Sequence, residues 1–250
     1  MYLYRRFKIF TKGKNMTKFI ITGNDRSGVT LLKESINNHS DIICFPELLS
    51  MNEESRIIHN HKCFKNGKWL KNKNNVIEYL KENIFDTLYN TGIKITIKQI
   101  FKWNILEYLS NIPDLKIIFV KRNYLASYIS LIKSNNNKIW SVSDHTSMSK
   151  SQPVELDIDN FLSYMKTFNT MENIVIQELS NNYIILYRDL IENYNKIMHK
   201  VFDFLMIPST LKFPPTKLLY NFNIKEDILN WKDVKKKMKD YYPELLEDLF

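Results

Sequence analysis

The segment that most limits what this chain can fold into is Phe19 to Ile36. Phe19 to Thr22 is a short apolar run closed by Gly23, and Leu31, Leu32 and Ile36 then recur at helical spacing. Between them Gly23-Asn24-Asp25-Arg26-Ser27-Gly28-Val29 forms a turn with a glycine at each end of its bend. A strand that passes through such a turn into a helix is the β-loop-α unit, whose backbone N–H groups face an anion.

The rest of the sequence keeps alternating in the same way. Ile42 to Phe45 is a second buried strand, stopped by Pro46, with Glu47 just beyond its carboxyl end. His59 to Asn75 reads as a loop, and Ile77, Leu80, Ile84 and Leu88 mark a helix ending near Gly92. Ile93 to Ile97 alternates as a strand, followed by a helix around Ile105 to Leu109, a break at Pro113, a strand at Ile117 to Val120 and a helix from Tyr124 to Ile132. The polar stretch Asn135 to Pro153 is longer than an ordinary connection and reads as a lid or a disordered loop. A long helix from Asp159 to Leu179, a strand at Tyr183 to Tyr187 and a helix carrying Ile197, Val201 and Phe204 complete the pattern before Pro208. A short basic helix near Val234 to Met238 ends it. This order predicts an α/β fold in one domain, a mainly parallel sheet with helices on both faces, of the P-loop-like nucleotide-binding kind. Residues 1–15 read as a flexible basic leader that can touch a membrane surface, and residues 16–250 as the domain.

Charge narrows the ligand. The 250 residues carry 36 Lys and Arg against 27 Asp and Glu, a formal charge of +9, which favours an anionic partner. The basic residues are dispersed and form no long block, so nucleic acid is the weaker expectation and a phosphorylated or sulfated small molecule the stronger. Two cysteines, Cys44 and Cys63, fit a reducing compartment, and no apolar run reaches the length of a signal-peptide core or a membrane span. The expectation is a cytoplasmic protein, its oligomeric state unread.

Val29 stands where a nucleotide triphosphatase needs the lysine of its phosphate loop. Without that lysine a transferring γ-phosphate is poorly served, although the loop amides still hold an anion and Arg26 brings positive charge. The segment Arg26-Ser27-Gly28-Val29-Thr30-Leu31-Leu32, placed after a strand, resembles the 5′-phosphosulfate loop of the sulfotransferases that use 3′-phosphoadenosine 5′-phosphosulfate (PAPS), commonly Arg-Ser-Gly-Thr-Thr-Leu. The stretch from His39-Ser40 to Glu47 is similar to the segment of carbohydrate and tyrosylprotein sulfotransferases that ends in a glutamate base, with Ser40 in place of their usual proline. Lys116 to Arg122 followed by Ser130 looks like the family's 3′-phosphate site, with Asn123-Tyr124 where the family has Asp-Pro. Tyr187-Arg188-Asp189-Leu190 and Phe204-Leu205-Met206 resemble its Tyr-Glu-Asp-Leu and Phe-Leu-Gly segments, Arg188 and Met206 being departures.

The resemblance implies PAPS as co-substrate and a hydroxyl acceptor, on a carbohydrate or a small-molecule alcohol, with adenosine 3′,5′-bisphosphate as product. It implies that Arg26, Ser27, Gly28, Val29, Thr30 and Leu31 cradle the 5′ end, Arg122 and Ser130 the 3′-phosphate, and Tyr187 the adenine. Glu47 becomes the candidate general base, against a structural or substrate-orienting role. Lys94 or Lys98, at the two ends of one expected strand, neutralises charge on the transferring group or is a solvated surface lysine. The mechanism would be in-line displacement at sulfur, with no metal required. His59, His61 and Cys63 make a thin case for zinc, His145 is an alternative base, and Lys235 to Lys237 read as a solvated helix face. The rival readings are a P-loop kinase of a small metabolite and a nucleotide-binding protein without catalysis.

Overall fold

The computed structural model describes residues 16–49, 72–137, 152–209, 224–243 and 246. The basic leader, the His59 to Cys63 segment and His145 lie outside them.

Five strands, β1 (Lys18–Gly23), β2 (Ile42–Phe45), β3 (Asn90–Lys94), β4 (Lys116–Lys121) and β5 (Asn182–Leu186), form one parallel sheet in the order β2-β3-β1-β4-β5. Parallel strands need crossovers, which the helices supply. They are α1 (Val29–Asn37), α2 (Lys73–Leu80, continued by a π-helical turn at Lys81–Phe85), α3 (Ile97–Lys102), α4 (Leu106–Ser110), α5 (Tyr124–Asn137), α6 (Ile158–Glu178), α7 (Tyr187–Glu192), α8 (Tyr194–Leu205), α9 (Ile224–Asp227) and α10 (Trp231–Tyr241).

Alternation along β1 divides the core. Phe19 and Ile21 face Leu32 and Ile36 of α1 and Met198 and Val201 of α8, whereas Ile20 faces Val76 and Leu80 of α2, Ile100 of α3 and Val175 of α6. The expected helices on both faces are therefore present. Phe19, Ile20 and Ile21 are fully buried, and a side chain so removed from water is worth roughly 1.5–3 kcal/mol. Cys44 sits in the α1-side core as a small apolar residue, its thiol pKa pushed up by burial. A third cluster joins Leu125 and Ile129 of α5, Phe161 and Met165 of α6 and Val234 and Met238 of α10. Lys133 of α5 pairs with Asp227 at the end of α9.

From β1 the chain builds outward to β2, returns to β3, and then crosses β1 to reach β4 on the other side. The reversal lies between β1 and β4, and the crevice beyond their carboxyl ends is where an open α/β sheet binds its ligand.

Four boundaries differ from the sequence expectation. The third strand is Asn90–Lys94 and not Ile93 to Ile97, because Thr96 and Gln99 close a capping box that starts α3. Lys98 therefore stands exposed on the first turn of α3, not at a strand end. The helix expected to reach Gly92 stops at Phe85, and Leu88 is solvent-exposed. Tyr187 opens α7 instead of closing β5, and α5 continues through Asn137 into the stretch read as a loop.

Candidate active site

The loop after β1 delivers the first group of residues. Ser27 N–H donates to the Asn24 carbonyl at 3.1 Å, a tight turn that requires Arg26 at φ 65° and Gly28 at φ 99°. Gly28 occupies the cap position of α1 with no side-chain cap, so the first-turn amides of that helix have no partner from the cap residue. A Cβ on Gly28 would stand 2.4 Å from the Tyr187 ring. Glycine is thus demanded here by conformation and by space.

The expected 3′-phosphate residues come from β4 and α5 and meet this loop. Arg122 donates through Nη1 to the Arg26 carbonyl at 2.8 Å, and its guanidinium carbon lies 4.3 Å from the centre of the Tyr187 ring, a cation–π distance. Arg26 Nε donates to Ser130 Oγ at 3.1 Å. Arg26, Arg122, Ser130 and Tyr187, spread over 162 positions of sequence, are neighbours in the fold. The Ser27 hydroxyl is buried and has no hydrogen-bond partner among the described residues. Val29 is buried in the α1-side core.

Beside the loop stands the carboxylate. Glu47 follows β2, and its Oε2 lies 2.7 Å from Lys94 Nζ at the end of β3. Its Oε1 accepts from Gln99 Nε2 at 2.9 Å. Lys94 also donates to Thr30 Oγ1 at 2.9 Å, so a single ammonium joins the first turn of α1 to Glu47. Lys94 and Glu47 are partly exposed, with side chains 13% and 30% accessible. Of the two lysines expected near the transferring group, Lys94 makes this connection.

Several residues of the site escaped the sequence reading. Asp25 carries a carboxyl pushed to higher pKa, first by burial and then by Glu47, with Lys98, Lys94 and Arg26 opposing. Gln99 is readable only as the last member of the Thr96-x-x-Gln99 capping box. Glu172 on α6 receives Asn24 Nδ2 at 2.6 Å and the Tyr124 hydroxyl at 2.8 Å. One signal existed for it: Phe161, Met165, Phe168, Glu172 and Val175 occupy the buried stripe of α6, and a carboxylate in such a stripe needs partners.

His39 is buried, tilted against Phe202 at 5.2 Å, and held by Pro208 O and Asp41 N–H. It braces the turn before β2. Lys237 pairs with Asp159 at 2.7 Å on the surface. Among the described residues no group of three or more His, Cys, Asp and Glu side chains is placed to hold a metal, and no helix is long and apolar enough to cross a membrane.

No curated protein matches this chain. Among solved structures, a sulfotransferase from Alicyclobacillus acidocaldarius superposes with a TM-score of 0.56 over 94% of this chain and 95% of its own, at 11% identity. The sulfotransferase domain from the curacin biosynthetic pathway gives 0.50 over 85% and 80%, at 17% identity. At such identities the likeness is one of fold. The sulfotransferase domain family model matches residues 16–240, nearly the whole length, and the chain belongs to the sulfotransferase family.

Proposed function

We propose that this chain transfers a sulfuryl group from PAPS to a hydroxyl acceptor, a carbohydrate or a small-molecule alcohol, leaving adenosine 3′,5′-bisphosphate. The observation that carries the reading is the convergence of Arg26, Arg122, Ser130 and Tyr187 on the loop after β1, with Glu47 and Lys94 beside it. The residues fit a bisphosphorylated nucleotide. Two guanidiniums and a serine hydroxyl offer charge-assisted contacts to phosphate, the first-turn amides of α1 offer more, and the buried Ser27 hydroxyl is an orphaned donor in the same loop.

When bound, PAPS supplies an activated sulfuryl group on a phosphate leaving group. The chain's own residues then have separate tasks. Arg122 and Ser130 hold the 3′-phosphate, and Tyr187 packs at the adenine end against Gly28. Arg26, Lys94 and the loop amides supply fixed positive charge where negative charge collects. Lys94 and Gln99 orient the Glu47 carboxylate, which takes the proton from the acceptor hydroxyl.

A P-loop kinase is disfavoured because Val29, at the position of the phosphate-loop lysine, is committed to the core. Thermal-shift measurement separates the two readings. Adenosine 3′,5′-bisphosphate without magnesium should raise the melting temperature, and ATP with magnesium should have little effect. The reverse ranking would overturn the sulfotransfer reading in favour of phosphoryl transfer. Incubation with labelled PAPS and a panel of alcohols and sugars then identifies the acceptor.

A further inference from the structure

Glu172 is a carboxylate in the interior, only 3% exposed. Its neighbours along the buried stripe of α6 are Met165, Phe168 and Val175. Burial pushes its pKa up, and its hydrogen bonds from Tyr124, Lys121 and Asn24 oppose that shift. A buried ionisable group with several partners seldom stabilises a fold as well as an apolar residue of similar size. Packing of α6 therefore does not account for it.

Its partners do. Asn24 belongs to the loop after β1 and lies two positions before Arg26; its amide donates to Glu172 Oε1 at 2.6 Å. Lys121 ends β4 immediately before Arg122, and its ammonium lies 3.5 Å from Oε2. Tyr124 opens α5, the helix of Ser130, and its hydroxyl donates to Oε2 at 2.8 Å. One oxygen thus serves the segment that bears the 5′ half of the proposed donor site, and the other serves the two segments that bear the 3′ half. The direct links between those halves, Arg122 to the Arg26 carbonyl and Arg26 to Ser130, use the side chains that ligand phosphates would engage. Glu172 makes its link from behind the site.

We propose that Glu172 is a positioning residue that couples the two phosphate-binding halves of the donor site, so that the 5′- and 3′-phosphates of one nucleotide reinforce each other's binding. This rests on the PAPS reading above. Holding the Asn24 loop and the β4–α5 junction at one fixed separation means that a nucleotide anchored at one phosphate finds the other subsite already in place. With the link removed, each half still binds its own phosphate but ordering of the second half is charged to the ligand.

The test is calorimetric titration of the full chain with adenosine 3′,5′-bisphosphate, adenosine 5′-monophosphate and adenosine 3′-monophosphate. Glu172→Gln keeps the volume and one acceptor for Asn24, but turns an amide toward Tyr124 and Lys121 and removes the charge. It should weaken the bisphosphate about tenfold and each monophosphate by no more than about threefold. Tyr124→Phe, which deletes one bond only, should act in the same direction with a smaller loss. Equal weakening of all three nucleotides, or undiminished bisphosphate binding in the folded variant, overturns the coupling role. If Glu172→Gln loses its circular-dichroism signature of folding, Tyr124→Phe decides: a bisphosphate-selective loss supports the coupling and a uniform one overturns it. A parent protein that binds none of the three nucleotides refutes the donor reading itself, and the coupling with it.

Discussion

Lys94 Nζ stands 2.7 Å from Glu47 Oε2 and 2.9 Å from Thr30 Oγ1, so the carboxylate after β2 is tied through one cation to the first turn of the helix that follows the phosphate loop. Register explains the placement. Lys94 pairs with Ile21 across β3 and β1, which puts it at the carboxyl edge of the sheet, level with a residue two positions before Gly23 and its loop. In the proposed reaction, proton removal and charge neutralisation would fall to these adjacent groups at neighbouring strand ends.

Glu47→Gln should lower turnover by about 10²- to 10⁴-fold, the usual cost of losing a general base, and leave the affinity for adenosine 3′,5′-bisphosphate within a few-fold. Glutamine keeps the size and one acceptor oxygen but takes up no proton. Steady-state sulfuryl transfer and calorimetry on the same preparation check this. Turnover within threefold of the parent would make Glu47 structural.

Arg122→Ala and Ser130→Ala should weaken adenosine 3′,5′-bisphosphate more than the analogue without the 3′-phosphate. A charge-assisted phosphate contact is worth roughly 1.5–3 kcal/mol, a loss that calorimetry resolves. Arg122→Ala also removes the stacking on Tyr187 and the bond to the Arg26 carbonyl, so its effect should be the larger. Equal losses for the two ligands would remove Arg122 and Ser130 from the 3′ subsite.

The strand–loop–helix unit at Lys18–Asn37 was legible because an apolar run, two glycines and a helical repeat agree with one another, and the same holds for β2, β4 and α6. The third strand was misplaced by three residues for a physical reason. Its first half, Asn90-Thr91-Gly92, looks like a turn, yet Gly92 is there because a Cβ would strike the Phe19 ring at 2.3 Å. Thr91 and Asn90 are polar because their side chains meet Lys18, Thr17 and Asp41 at the sheet's amino edge. Of the candidate site, short local patterns singled out Arg26, Glu47, Lys94, Arg122, Ser130 and Tyr187, which the fold places around the loop after β1. Gln99 and Glu172 were missed: the capping box and the buried stripe of α6 mark the residues, but not their site partners, which lie 52 and 148 positions away.

Met206 carries a conformational cost at the end of α8. It caps α8 in the left-handed region at φ 58° with its side chain 74% exposed, and its N–H donates to the Asp203 carbonyl. The following Ile207 N–H reaches the Phe202 carbonyl at 3.0 Å, the pairing of a helix end that favours glycine. A left-handed backbone costs a side-chain-bearing residue about 1–2 kcal/mol, and glycine's extra freedom in the unfolded chain returns about 0.4–1 kcal/mol of that. Met206→Gly should therefore raise unfolding free energy by about 0.5–1 kcal/mol, read from urea titration, with donor binding unchanged. A loss of stability would mean that the Met206 side chain packs in solution.

Asp25 gives the site a pH dependence whose sign follows from its surroundings. Burial, and next the Glu47 carboxylate, push its pKa up, while Lys98, Lys94 and Arg26 pull the other way. In the unfolded chain the same group titrates near its ordinary value of about 3.9. The folded protein therefore holds this proton more tightly than the unfolded one, and stability contributed by protonated Asp25 is complete below about pH 4 and is lost as pH rises through the folded value. Asp25→Asn removes the titration. Urea midpoints should show the variant gaining on the parent as pH climbs above about 4, and a constant difference below that pH. The same carboxyl lies in the loop expected to receive phosphate, and an arriving anion disfavours its charged form still more. Binding of adenosine 3′,5′-bisphosphate should then take up protons, seen as a binding heat that changes with the ionisation enthalpy of the buffer. That dependence should shrink in Asp25→Asn. A stability difference independent of pH, together with buffer dependence undiminished in the variant, would mean that the fold does not raise the Asp25 pKa and that another group takes the proton.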